Sequence, residues 1–129
     1  LDFNLSFSEK SIEVNKTSSF ILSLDNKKSI SLENVKVIVN IPNNMDINID
    51  NDEATFSDGR LKLEIDSIDD EIFTQEFEFT LKEQGGYLIN NGFCEFDYFE
   101  TESNKENDKF TKTTIEIDGS EIECFDPNS

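Results

Sequence analysis

Oxygen-bearing side chains stand at every second position in Met45-Asp46-Ile47-Asn48-Ile49-Asp50-Asn51-Asp52-Glu53. Asp46, Asn48, Asp50 and Asp52 are the hard donors that calcium gathers in sets of about six to eight. The helix-loop-helix calcium loop is not reproduced, because counting from Asp46 puts Asn51 where its glycine belongs and Ser57 where its closing glutamate belongs. Alternation has a simpler origin as well. In a strand with Ile47 and Ile49 turned inward, the polar neighbours fall on the wet face without any ligand. The chain is therefore read with no metal centre and no cofactor, calcium at Asp46, Asn48, Asp50 and Asp52 being the alternative. A second acidic group, Asp66, Asp69, Asp70 and Glu71, reads as a solvated turn.

Nucleophilic chemistry meets a compositional obstacle. The chain has no His, which removes the usual general base, the Ser-His-Asp and Cys-His pairings, and the commonest zinc ligand. Carboxylate pairs could be drawn from any two of 29 acids, so they carry no information without geometry. No catalytic residue is singled out, and the chain is read as a non-enzyme. Cys94 shares an apolar face with Phe96 and Tyr98 and reads as a small buried hydrophobe. If the last two strands pair, Cys94 lies opposite Ile115, and a fold-back at Asp118-Gly119 sets Cys124 beside Thr113. Such an offset exceeds what a disulfide spans, so two free thiols are expected. Trp is absent, so a sugar platform would rest on Tyr87, Tyr98 or a Phe. Asn4-Leu5-Ser6 and Asn15-Lys16-Thr17 match the N-glycosylation pattern. Lys36 alternates outward, so no buried lysine stands out for an isopeptide crosslink.

These side chains need a scaffold, and composition bounds it. At 129 residues the chain fits one domain, which can bury roughly two-thirds of its unfolded surface. Leu, Ile, Val and Phe make up 39 residues, ample for a core, and Phe alone contributes 12. A net charge of −18 repels phosphate backbones, making nucleic acid and anionic membrane poor partners. No apolar run approaches the length of a membrane helix. Starting at Leu1 without an initiator Met and ending in Asp126-Pro127-Asn128-Ser129, the chain reads as a segment of a longer protein.

Nearly every apolar segment has period two, the mark of strands. Leu1-Phe3-Leu5-Phe7 share one face, and Ile12 and Val14 follow a polar break. Further strands are read at Phe20–Leu24, Val35–Ile41, Ala54–Phe56, Leu61–Ile65, Phe73–Leu81, Tyr87–Phe99 and Phe110–Ile117. Turns are expected at Lys27-Lys28, Asn43-Asn44, Asp69-Asp70, Gln84-Gly86 and the solvated loop Thr101–Asp108. Ser67–Glu71 has room for no more than one helical turn. Asp58-Gly59 supplies the positive φ of a two-residue type I′ hairpin, which sets Ser57 opposite Arg60 and Phe56 opposite Leu61. The same chemistry recurs at Asp118-Gly119. The pattern predicts an all-β antiparallel sandwich of about seven to nine strands over residues 1–117. Residues 118–129 form a C-terminal strand or a linker toward a following domain.

The succession Val14-Asn15-Lys16-Thr17, Phe20-x-Leu22-x-Leu24-x-Asn26, Asn34-Val35-x-Val37, Ile41-Pro42-x-Asn44-Met45 and Gly86-Tyr87-x-x-Asn90 resembles a known repeat domain. That domain, of unknown function, occurs in tandem in bacterial and archaeal cell-surface proteins, and the likeness covers about residues 10–117. Lys16, Lys27-Lys28 and Asn44 depart from its pattern, and its central Trp is missing. Asn44 tolerates the left-handed backbone that glycine would supply there. The resemblance implies an immunoglobulin-like sandwich on the cell surface, serving as spacer or adhesive module. Its partners would be neighbouring domains of the same polypeptide and a host or cell-surface protein or glycan. The alternatives are an accessory calcium- or carbohydrate-binding module of a secreted protein, or an intracellular immunoglobulin-like domain that recruits peptides along an edge strand.

Overall fold

Alternating apolar residues bury one face of each extended segment, and two such faces close on each other. The computed structural model describes residues 1–26, 31–69, 71–99, 103, 106–107 and 110–128. Among them run β1 (Asp2–Phe7), β2 (Ser11–Glu13), β3 (Thr17–Asp25), β4 (Leu32–Asn40), β5 (Met45–Asn48), β6 (Ala54–Ser57), β7 (Arg60–Ile68), β8 (Ile72–Leu81), β9 (Gly85–Ile89), β10 (Gly92–Tyr98), β11 (Thr111–Glu116) and β12 (Ser120–Phe125). The expected sandwich is present, divided into more and shorter strands because several segments break where they change sheets. One sheet has the order β1-β3-β8-β5, the second β11-β10-β4-β7-β6, and a third β2-β12-β9. Phe3, Phe20, Phe77, Phe79 and Phe96 are buried at the centre with Leu22, Val37, Val39, Leu61, Leu63 and Leu81. Phe20 lies 5.7 Å from Phe77 and 5.9 Å from Phe79, ring centre to ring centre.

The third sheet ties the other two together. β2 continues from β1 of the four-stranded sheet, whereas β9 and β12 lead directly into and out of the β10/β11 pair of the five-stranded sheet. The β9/β12 and β10/β11 pairs keep one register, so they form a single long ribbon interrupted at Asn90-Asn91 and Ile117-Gly119. The continuous strand expected from Tyr87 to Phe99 is thus broken at Asn90-Asn91, where it passes from one sheet to the other.

Asp58 (φ 53°) and Gly59 (φ 75°) form the expected turn, with Ser57 opposite Arg60 and Phe56 opposite Leu61. Asp118-Gly119 does not. β12 leaves β11 there and pairs with β9 instead, so Cys124 lies opposite Gly85 and Ile12 and not beside Thr113. The reason is packing. A Cβ on Gly119 would sit 1.9 Å from the Ile89 carbonyl oxygen, so glycine serves a close backbone crossing in place of a turn. Where one helical turn had room at Ser67–Glu71, Ser67 and Ile68 instead complete β7. The expectations at Lys27-Lys28 and Asp70, and most of those for Thr101–Asp108, lie outside the described residues.

The Asn-rich motif positions have a conformational cause. Asn15 (φ 65°), Asn34 (φ 52°) and Asn44 (φ 68°) occupy left-handed backbone. Asparagine accepts that region better than other side chains bearing a Cβ. Asn34 marks the shift between the β4 and β10 registers and donates from Nδ2 to Asp97 at 3.0 Å. Asn44 turns the chain after Pro42, which lies just past the end of β4 where its missing N–H costs no ladder bond.

Candidate functional site

Asp46 and Asn48 lie on the exposed face of β5, alternating with the buried Met45 and Ile47. Asp46 is 3.6 Å from the Lys82 ammonium. Asp50 and Asp52 follow beyond the strand, where Asn51 shapes a turn by accepting the Glu53 N–H at 2.7 Å and the Ala54 N–H at 3.2 Å. Among the described residues no three carboxylate or thiol side chains gather closely enough to hold an ion. Asp66, of the second acidic group, projects from β7, Asp69 accepts a hydrogen bond from Ser31 at 2.7 Å, and the Glu71 carbonyl accepts the Asn26 N–H at 2.7 Å. Asp70 lies outside the described residues.

Cys94 is fully buried opposite Ile115 and Val37, as the strand pairing predicts. Cys124 is buried in the third sheet, and both thiols are free. Burial pushes the Cys94 thiol up to about 12 and raises that of Cys124 too, so neither is prepared as a nucleophile. Tyr87 is buried, its hydroxyl donating to the Glu83 carbonyl, and burial raises its pKa. It offers no platform to a sugar. The aromatics that do reach the surface were not singled out by alternation: Phe110 is exposed and stacks on Phe99 with ring centres 4.3 Å apart.

A further surface feature was not visible in any motif. β6 pairs only with Arg60–Leu63, the first part of the longer β7. Likewise β5 pairs only with Glu78–Leu81, leaving the first part of β8 unpaired on that side. Both short strands are sheet edges on the same flank, so each sheet presents an open edge there. A depression beside β7 is lined by Asp52, Glu53, Lys62, Glu64, Ile65 and Asp66. The signal in the sequence is the unequal length of the arms flanking Asp58-Gly59, and it emerges only once the strand ends are known.

With this geometry in place, the likeness to known proteins is one of fold. The sequence matches no family model and no curated protein. A non-cellulosomal cohesin from Archaeoglobus fulgidus superposes with a TM-score of 0.64 at 6% identity, over 97% of this chain and 92% of that one. A type I cohesin from Pseudobacteroides cellulosolvens gives 0.61 at 11% identity, over 97% and 93%. The CARDB domain of a Pyrococcus furiosus protein, solved in complex with di-metal ions, gives 0.54 at 14% identity, over 95% and 90%. The chain therefore has an immunoglobulin-like β-sandwich fold, that of the cohesin and CARDB modules. Among the described residues no helix is long and apolar enough to cross a membrane.

Proposed function

We propose that this domain is a non-catalytic structural module of a longer, extracellular surface polypeptide, and that it carries tension between its neighbours. The observation that supports this reading is the parallel pairing of the last strand with the beginning of the chain. β12 runs parallel to β2, with Cys124 beside Ile12, and Asn4 forms a parallel bridge with Asp118. The chain therefore enters at one pole and leaves at the opposite pole, in line. Force applied to the two ends loads the bonds Val14 N–H to Phe125 O (2.9 Å), Glu123 N–H to Lys10 O (3.1 Å) and Asp118 N–H to Phe3 O (2.8 Å) along the strands. Bonds in shear share the load, whereas bonds at the mouth of a hairpin break one at a time.

The tandem-repeat resemblance and the cohesin-like fold both agree with a module strung between others, the chain from Asp126 onward leading to the next. Single-molecule stretching tests the proposal. Pulling through the chain ends should require several times the force needed when handles are placed at Asp2 and Asp25, which are paired at one end of an antiparallel ladder and so unzip. Equal forces in the two geometries, or a weaker end-to-end response, would overturn it.

A further inference from the structure

We infer that residues 65–68 accept an extended, cationic segment of a partner protein as an added strand, in line with β6 and alongside the depression described above. This does not depend on whether the module bears tension.

The backbone makes the case first. In an antiparallel ladder alternate residues direct N–H and C=O to one side. Glu64 donates to the Glu53 carbonyl at 3.0 Å on the β6 side, so Asp66 directs its own N–H and C=O to that side too. No described residue meets them, because the chain turns away at Asn51–Glu53 and β6 begins only at Ala54. Four residues of β7 remain open, about 13 Å at the usual rise per residue, which suits a short added strand. Addition to an exposed edge supplies main-chain bonds, and side-chain pockets then choose the sequence.

Those side chains select the occupant. Ile65 is half-buried against the core and forms an apolar floor. Around it Asp52, Glu53 and Asp66 have no ion-pair partner among the described residues, and Glu64 is matched only by Lys62 at 3.4 Å. A strand alternating Lys or Arg with Val or Ile would turn its aliphatic residues to Ile65 and its cations to these carboxylates. A second copy of this chain is disfavoured, since it would bring the same carboxylates face to face and its net charge is −18. Short edges are ordinarily blunted by lysine or proline, and here acidic residues repel copies of the chain while attracting a basic strand.

The test is an NMR titration of the isotope-labelled chain with the peptide Lys-Val-Lys-Val-Lys-Val. The controls are Lys-Pro-Lys-Pro-Lys-Pro, equally charged but unable to complete a ladder, and Glu-Val-Glu-Val-Glu-Val. Saturable amide shifts centred on Glu64–Ile68 and Glu53–Ala54, with no response to either control, are expected. Asp66→Lys should weaken binding roughly tenfold. Both Asp66 and Glu64 are exposed, and Glu64→Lys provides a second variant, expected to act in the same direction. Equal binding of the proline peptide, shifts spread over the outer face of the four-stranded sheet, or no response to the first peptide would each overturn the inference.

Discussion

Cys124 lies beside Ile12 in a parallel ladder, so the last strand of the domain runs in the same direction as β2 near its beginning. β12 is held on its other side by β9, making it the central strand of the third sheet. Glu123→Pro removes the N–H that bonds Lys10 and disturbs this strand from within. It should cost about 3 kcal/mol or more in urea denaturation, and it should lower the end-to-end rupture force further than it lowers the force of the Asp2–Asp25 pull.

Ile41 is buried next to the end of β4, its N–H donating to the Gly59 carbonyl at 2.8 Å. Ile41→Asp would leave a carboxylate without a counter-charge between the sheets. A loss of about 3–5 kcal/mol is expected in equilibrium urea melts. A loss below about 1 kcal/mol, typical of a surface position, would contradict this facing.

Two glycines should respond differently to one methyl group. At Gly59 a Cβ meets nothing nearer than the Ile41 carbonyl oxygen at 3.6 Å, so Gly59→Ala carries mainly the strain of φ 75°, about 1 kcal/mol. At Gly119 the obstacles are backbone atoms, Ile89 O at 1.9 Å and Asn90 Cα at 2.7 Å. Gly119→Ala should therefore cost about 3 kcal/mol or more. Thermal melts of the pair measure the difference.

Asn44 tests the conformational account of the motif asparagines. With φ at 68°, Asn44→Gly should stay within about 0.5 kcal/mol of the parent, while the β-branched Asn44→Val should lose about 2 kcal/mol. Equal stability of the two variants in denaturant melts would point to a role other than backbone geometry.

Cys94 sets an alkaline limit. Its thiol is raised from 9.0 to about 12 by burial, so between those values the folded chain holds a proton that the unfolded chain has released. The stabilisation is complete below about pH 9 and is lost as pH rises toward 12, about 4 kcal/mol across the window. Tyr87 and Cys124, raised by the same cause, add to the slope. Cys94→Ala should flatten the pH dependence of urea melts over that range. A thiol reagent should label Cys94 at the rate of unfolding.

Much of the fold was legible residue by residue. Val35, Val37, Val39 and Ile41 alternate inward as written, Asp58-Gly59 turns where its chemistry demands, and Cys94 faces Ile115. Of the four candidate calcium positions, Asp46 and Asn48 alternate outward on β5 as their spacing implied. Asp118-Gly119 misled because a dipeptide suited to a hairpin is equally suited to a close crossing, and only Ile89 on a distant strand distinguishes the two.

By itself the sequence determined which face of most strands turns inward, because a period of two puts Phe3, Phe20, Phe77, Phe79 and Phe96 on the same side as the neighbouring aliphatics. It also determined the left-handed backbone at Asn44 and Asp58-Gly59, since asparagine, aspartate and glycine tolerate that region, whereas Asn15 and Asn34 adopt it without having been marked by any pattern. Tertiary structure alone decided that the last strand runs parallel to β2 and that β7 outlasts β6. Both depend on long-range pairing, in which main-chain groups common to every residue choose partners that no local pattern specifies.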